Sequence, residues 1–346
     1  MRTLKLKIPS WYNKDMFSRI IYFLSLIFFV SIIYRNYPLL LNIPEDLLKA
    51  KILLLVLALV LQVFKYLVIA YNFYLNFQKA GVKFTYQEVF RATFVYMYVS
   101  VATPFVGAGG LLAFVDYAGH KEFNRVKTAA GAFLALLADY LGFFLIILFS
   151  LLFFRDSIED FPVNYLYAMI GFGGVLLTLV FLSIFTKDFL INFIHSIQRI
   201  LNFVSRKIHK NLVMDETWAH KNVQLAHECF VDIKHDPKFY IKPILIGLIF
   251  HILNILTLAV VAWSFKEVIP VSKVVSSYVV LNTLETVSPT PNGIGIIEVF
   301  VPEFMKSIGI DFGNSLIIIT IFRLIYFYIP LMVGFYFSHK IFLKKN

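Results

Sequence analysis

The chain is poor in charge. Of 346 residues, only 15% are Asp, Glu, Lys or Arg, against about a quarter in an ordinary soluble domain. It has one cysteine, Cys229, which excludes an intrachain disulfide and any cysteine metal cluster. No P-loop, HExxH, DxD or Ser/His/Asp arrangement is found, and the eight histidines are scattered. An ATP-driven pump of the familiar kind and the common hydrolase chemistries are therefore excluded as readings. No cofactor and no metal site is expected. Apolar sequence is what remains in quantity. Hydrophobic residues make up 59% of the chain, and Phe and Tyr alone number 38 and 19.

Several apolar windows reach the roughly 18 residues that a helix needs to cross about 30 Å of hydrocarbon. The pattern is that of an all-α, polytopic integral membrane protein, a single membrane domain over residues 1–346. Six segments read as full spans, at Phe17–Tyr34, Ile52–Asn76, Thr128–Phe154, Val163–Thr186, Ile241–Phe265 and Phe312–Ser338. The basic N-terminus followed by an apolar run resembles a signal peptide. No small-residue cleavage site follows it, so it is read as a retained first span.

Two further apolar segments, Phe84–Ala118 and Val271–Lys306, are interrupted at their centres. The first break reads TPFVGAGG (Thr103–Gly110) and the second TPNGIG (Thr290–Gly295). Gly and Pro at such positions end regular helix. Each segment is long enough for two half-crossings, a re-entrant hairpin. Two packed helices that are merely kinked form the plainer alternative.

Orientation follows from Lys and Arg. With a cytoplasmic N-terminus and both broken segments returning to their own side, the cytoplasmic loops and tails hold 23 of the 32 basic residues. The outer ones hold 7, and Lys65 and Arg323 lie within spans. That bias places both termini in the cytoplasm and accounts for the formal charge of +11 without nucleic acid. The halves 17–154 and 163–338 then have the same order and opposite orientation. Paired interrupted segments in an inverted repeat point to a midplane substrate site. Between the halves, residues 187–240 form a polar linker. It opens with Leu190, Ile194, Ile197, Leu201, Val204 and Ile208 on one helical face, while Arg199, Arg206 and Lys207 lie off it. Such a helix suits the cytoplasmic membrane surface.

A few polar residues sit where they are costly. A charge at the bilayer centre costs about 2.5–3.5 kcal/mol on insertion scales. Asp139 lies deep in the third span and Arg323 comparably deep in the last. They follow Gly109 by thirty residues and Gly295 by twenty-eight. Equivalent places in the two halves suggest an ion pair between them. Lys65 precedes Pro104 by 39 residues and His251 precedes Pro291 by 40, a second matched pair. Half-helices beginning at the breaks aim free N–H groups at the midplane, which favours an anion. Gly107, Gly109, Gly110, Gly293 and Gly295 let backbone approach a ligand. Glu298, in the first turn after its break, and Glu285 on the other arm are candidates for holding an amine. The candidate substrate-binding set is thus Pro104, Gly107, Gly109, Gly110, Pro291, Gly293, Gly295, Glu298, Asp139, Arg323 and Lys65. The same residues also read as purely structural staples.

PTPNGIGIIE (Pro289–Glu298) resembles the P-G-G-x-G-x-x-E element of the membrane family that serves as the flippase module of lysylphosphatidylglycerol synthases. TPFVGAGG, LLADYLGF (Leu136–Phe143) and FRLIYFYIP (Phe322–Pro330) are similar to further elements of that family. The resemblance implies a flippase-like transporter of phospholipid, possibly aminoacylated, in the cell membrane, with membrane phospholipids as its partners. Aminoacyl transfer is not expected, because no synthase domain is seen in this chain. Two departures stand out. LLAFV (Leu111–Val115) occupies a place where the family often has Glu and Arg, and Ala135 and Leu136 stand where it often has Glu-Arg before the aspartate. A membrane module of, or accessory to, a transferase acting on lipid-linked sugars or phospholipids is a second reading. A partner-binding membrane scaffold is a third. The topology is testable in a Cys229→Ser background: single cysteines at Asn292 and Gly110 should react with an impermeant maleimide from opposite sides. Labelling of both from one side would end the inverted-repeat reading.

Overall fold

A computed structural model describes residues 50–101, 110–154, 171, 174, 178, 237–288 and 290–339. Eight helices account for nearly all of them, and no strand occurs among the described residues. They are α1 (Ile52–Lys79), α2 (Tyr86–Ser100), α3 (Leu111–His120), α4 (Arg125–Phe154), α5 (Pro237–Ser264), α6 (Val271–Val287), α7 (Ile297–Ser307) and α8 (Phe312–Ser338). Within α8 the stretch Leu324–Tyr328 is a π-helix.

Four of these helices, α1, α4, α5 from Tyr240 and α8, are long and apolar enough to cross a membrane. They coincide with four of the six expected spans. The other two, Phe17–Tyr34 and Val163–Thr186, and the linker 187–240 fall almost wholly outside the described residues. The polarity of α1 is inside out. Leu53, Val56, Val60, Val63 and Phe64 are exposed along one stripe, while Gln62, Lys65, Asn72 and Asn76 are buried. Water would penalise that arrangement and hydrocarbon favours it. The protein is membrane-embedded.

The two interrupted segments form pairs of shorter helices. At 1.5 Å per residue, α2 and α6 extend about 22 and 26 Å, and α3 and α7 about 15 and 16 Å, none reaching the roughly 30 Å of a bilayer core. Helix α2 begins at a reciprocal cap: the Thr85 side chain accepts from the Glu88 N–H, and Glu88 accepts from the Thr85 N–H at 2.9 Å. Lys121 Nζ then reaches Glu88 at 2.9 Å, joining the outer ends of α2 and α3. Helix α6 ends at Val287, and Pro291–Gly293 form a single tight turn before α7. Packing repeats in order: α3 lies on α4 as α7 lies on α8, while α1 and α5 pack along each other.

Helices α4 and α5 cross with backbone in contact. A Cβ placed on Gly142 would meet the Gly247 carbonyl carbon at 2.5 Å, and one on Gly247 would meet the Ala138 oxygen at 2.5 Å. Small residues at i and i+4 permit this approach between membrane helices, where dispersion rather than water exclusion supplies the adhesion. Tyr240 adds a hydrogen bond from its hydroxyl to the Leu134 carbonyl, and Asn72 of α1 donates to the Ala135 carbonyl at 3.0 Å. Gly247→Leu should therefore destabilise the detergent-solubilised protein by about 1–3 kcal/mol or more. Gly171→Leu, where an added Cβ meets nothing within 4 Å, should leave the thermal midpoint near wild type. Equal midpoints for the two variants would contradict the close crossing.

Candidate functional site

The second break leaves backbone groups that need partners. Asn292 (φ 49°), Gly293 (φ 67°) and Gly295 (φ 82°) are left-handed. Glycine enters that region freely, and asparagine is among the few other residues that visit it readily. Asn292 stands where the element that this stretch resembles has glycine. Its carbonyl accepts from Arg323 Nη2 at 3.1 Å, and the Gly295 N–H donates to Glu298 Oε2 at 2.8 Å. Arg323 Nε donates to Glu298 Oε1 at 3.1 Å, closing the circuit. One ion pair thus ties together an acceptor and a donor freed by the break, and both side chains are buried.

A second carboxylate joins this cluster. Glu285, in the last turn of α6, lies 3.8 Å from Arg323 Nη1 and accepts from the Tyr326 hydroxyl at 2.7 Å. The Arg323 guanidinium also lies over the Phe327 ring at 4.5 Å. The π-helical segment that begins just past Arg323 carries both Tyr326 and Phe327. Such insertions recur at functional sites because they rotate side chains out of α register. Pro330 follows and brings no N–H to the turn before it. The Tyr326 carbonyl accepts from the Tyr66 hydroxyl of α1 at 3.3 Å.

Lys65 of α1 occupies the other face of Tyr326. Its Nζ lies 3.8 Å from the Tyr66 ring centroid, 4.5 Å from that of Tyr326 and 5.7 Å from that of Phe250. Among the described residues no carboxylate comes within ion-pair distance of it. Among the described residues, its buried amine is packed against ring faces.

A separate polar chain runs through the α1–α4–α5–α6 junction. His251 Nε2 faces the Asp139 carbonyl at 3.2 Å and its carboxylate at 3.4 Å. His251 Nδ1 is 2.6 Å from the Tyr278 hydroxyl. Asn254 donates to Tyr278 at 3.2 Å, and Gln62 donates to Asn254 at 3.2 Å and to Thr257 at 2.9 Å.

The expected Asp139–Arg323 ion pair is not formed. Arg323 is committed to Glu298 and Glu285, and Asp139 to His251. Nearly equal offsets from the Gly motifs suggest similar depth, but α8 packs on α7, so Arg323 meets the acid of its own half. Glu298 is likewise already engaged rather than open to an amine. Lys65 and Arg323 are both buried beside Tyr326 and Phe327, whereas Asp139 sits apart on α4. Among the described residues nothing comes within 4 Å of a Cβ placed on Gly295, while a Cβ on Gly293 would strike Ile297 at 2.6 Å. Gly110 starts α3 with its α-carbon against Tyr96 and Ser100. Pro291 opens the turn between α6 and α7. Pro104, Gly107 and Gly109 lie outside the described residues. Tyr326, Tyr66, Tyr278, Asn254 and Gln62 were not among the expected site residues. A signal for several of them exists in the sequence: His251, Asn254 and Thr257 fall on one face of an otherwise apolar helix, as do Tyr278, Asn282 and Glu285.

A family model of the lysylphosphatidylglycerol synthase transmembrane region matches residues 20–334. The chain belongs to this family. No curated protein and no solved structure matches it. The first-half departure from the family has a physical counterpart. Where charged residues are common in the family, this chain has Phe114 packed on Phe73 at 4.6 Å, Phe77 at 5.1 Å and Tyr96 at 5.8 Å. Among the described residues, the buried ion pairs with both partners shielded lie around the second break.

Removing the cation from such a cluster strands two acids. Arg323→Met should cost about 3–5 kcal/mol of stability, the range for breaking a buried pair. Adding Glu298→Gln should restore part of that loss, because the pair is coupled. Chemical denaturation of the three variants measures both values, and strict additivity would contradict the pairing.

Proposed function

We propose that the protein is a flippase-like lipid transporter that passes a phospholipid headgroup between leaflets at the second break. In this reading α2–α3 and α6–α7 are re-entrant hairpins entering from opposite sides, and the two halves form an inverted repeat. Both termini lie in the cytoplasm, and the membrane is the plasma membrane. The acyl tails stay in lipid while the headgroup passes between the halves. No covalent chemistry is assigned to the protein.

The observation that carries this reading is Lys65. A buried lysine with aromatic rings around it and, among the described residues, no acid in ion-pair range is a costly feature for a staple. It is an effective one for receiving a phosphate that arrives as the halves part. Arg323 and Glu298 are committed to the break, so their task is to hold the irregular backbone at membrane depth. The open side of Gly295 leaves room for the headgroup to approach that backbone. In this reading Asp139, paired with His251 but with 21% of its side chain accessible, offers its outer oxygen to the amine of a zwitterionic or aminoacylated lipid. Membership of a lipid-related family agrees with a phospholipid as cargo.

The test is exchange of a fluorescent phosphatidylglycerol in liposomes, read by quenching from outside. Wild-type protein should speed exchange over empty liposomes. Lys65→Met should lower the rate about tenfold or more, the worth of one charged hydrogen bond, and Lys65→Arg should retain most of it. Folding is checked by monodisperse elution in detergent. Exchange equal to that of empty liposomes would overturn the reading.

A further inference from the structure

The polar chain at the α1–α4–α5–α6 junction has a direction. His251 Nε2 faces two oxygens of Asp139, so it carries the ring proton and Nδ1 of the neutral ring accepts. The Tyr278 hydroxyl at 2.6 Å must then donate to Nδ1. With its proton so placed, Tyr278 oxygen accepts from Asn254, and Asn254 oxygen accepts from Gln62. Every donor in the row points toward Asp139. Gln62 Oε1, at the far end, is buried with no hydrogen-bond partner. Asn282 Oδ1 lies 3.5 Å from the Tyr278 hydroxyl, one turn along α6, as an alternative acceptor.

That row has two states. A second proton on the His251 ring makes Nδ1 a donor, and Tyr278 oxygen must then accept from it. The Tyr278 proton turns to Asn282. The hydrogen bond from the neutral His251 ring to the Asp139 carboxylate becomes an ion pair between α5 and α4. No atom other than the one added proton is gained or lost. Asp139 is the partly accessible end of the row, at 21% of its side chain, while the His251 side chain is 2% accessible. The titratable and charged groups brought by the packed helices are Asp139 and Tyr140 from α4, Lys65 from α1, Tyr96 from α2, Tyr278 and Glu285 from α6, and Arg323 from α8. Lys65 Nζ lies over Phe250, the neighbour of His251. Arg323 is balanced by its two acids.

We propose that Asp139 and His251 form a proton-binding site, and that its occupancy couples lipid movement to protons. The physical link runs along α6: Tyr278 and Asn282 stand on the same face as Glu285, whose carboxylate joins the cluster at the break. Protonation strengthens the tie between α4 and α5 and withdraws the Tyr278 proton from α5 into α6. The coupling rests on the transport reading above, whereas the proton site stands on its own geometry.

Two measurements separate them. In liposomes at symmetric pH between 5 and 8, wild-type exchange should follow a single-site pH curve. His251→Gln keeps one donor and one acceptor but takes no second proton, and its rate should be flat with pH. Asn282→Leu removes the acceptor that only the protonated state needs. Its midpoint should fall by about half a unit to one unit, the equivalent of one hydrogen bond. In parallel, 15N-histidine spectra of the purified protein, with the His251 signal assigned by its loss in His251→Gln, should show Nε2–H imidazole at high pH. The ring should become doubly protonated on acidification, again at lower pH in Asn282→Leu. A His251 that stays neutral across the range overturns the proton site whether or not lipid moves. A titrating His251 with pH-independent exchange overturns the coupling and leaves the transport reading standing. No exchange at any pH overturns the transport reading and the coupling with it.

Discussion

A chain that breaks its backbone inside a buried helical core must supply from elsewhere the hydrogen bonds that water would have given. Here that supply is one buried ion pair. Arg323 takes the Asn292 carbonyl, Glu298 takes the Gly295 N–H, and each neutralises the other. The left-handed residues, the placement of α7 against α8 and the π-helical segment next to Arg323 all make sense as conditions for that contact. A shorter or neutral side chain at 323 would leave the break unpaired in a medium where each orphaned group is expensive. The arginine fork is suited to this because it donates in several directions at once.

The two halves use similar scaffolds differently. Around the first break the space between helices is filled by rings: Phe73, Phe77, Phe84, Tyr96 and Phe114 stack and tilt on one another. Around the second it is filled by charge. Aromatic packing gives rigidity without needing partners for polar atoms, whereas the ionic cluster is stable only in a narrow set of geometries. A headgroup that passed between the halves would thus meet a stiff apolar wall on one side and a polar surface on the other.

Much of this was legible in the residues, and the rest was not for identifiable reasons. Long apolar runs locate α1, α4, α5 and α8 to within a few residues, because the length needed to cross hydrocarbon is a strong constraint. The breaks are legible because Pro and Gly have few other uses there. Partner choice was not. Asp139 and Arg323 are matched in depth and opposite in charge, yet sequence offsets carry no information on which helix lies beside which. Glu298, three residues past Gly295, is the acid that Arg323 meets. Tyr326 and Tyr66 were hidden among 19 tyrosines, since an aromatic in an apolar span reads as packing until its hydroxyl is located. Gln62, Asn254 and Tyr278 could have been found from their helical spacing, as polar residues sharing the buried faces of three helices.

Tyr326 has a further consequence. Its ring face lies against the Lys65 ammonium and its hydroxyl against the Glu285 carboxylate. It therefore works as an insulating spacer between opposite charges that would otherwise collapse onto each other. Lys65 and Glu285 are kept on opposite sides of one phenol. For the two to pair directly that ring must move, so the barrier to a Lys65–Glu285 salt bridge is set by how readily one aromatic side chain gives way.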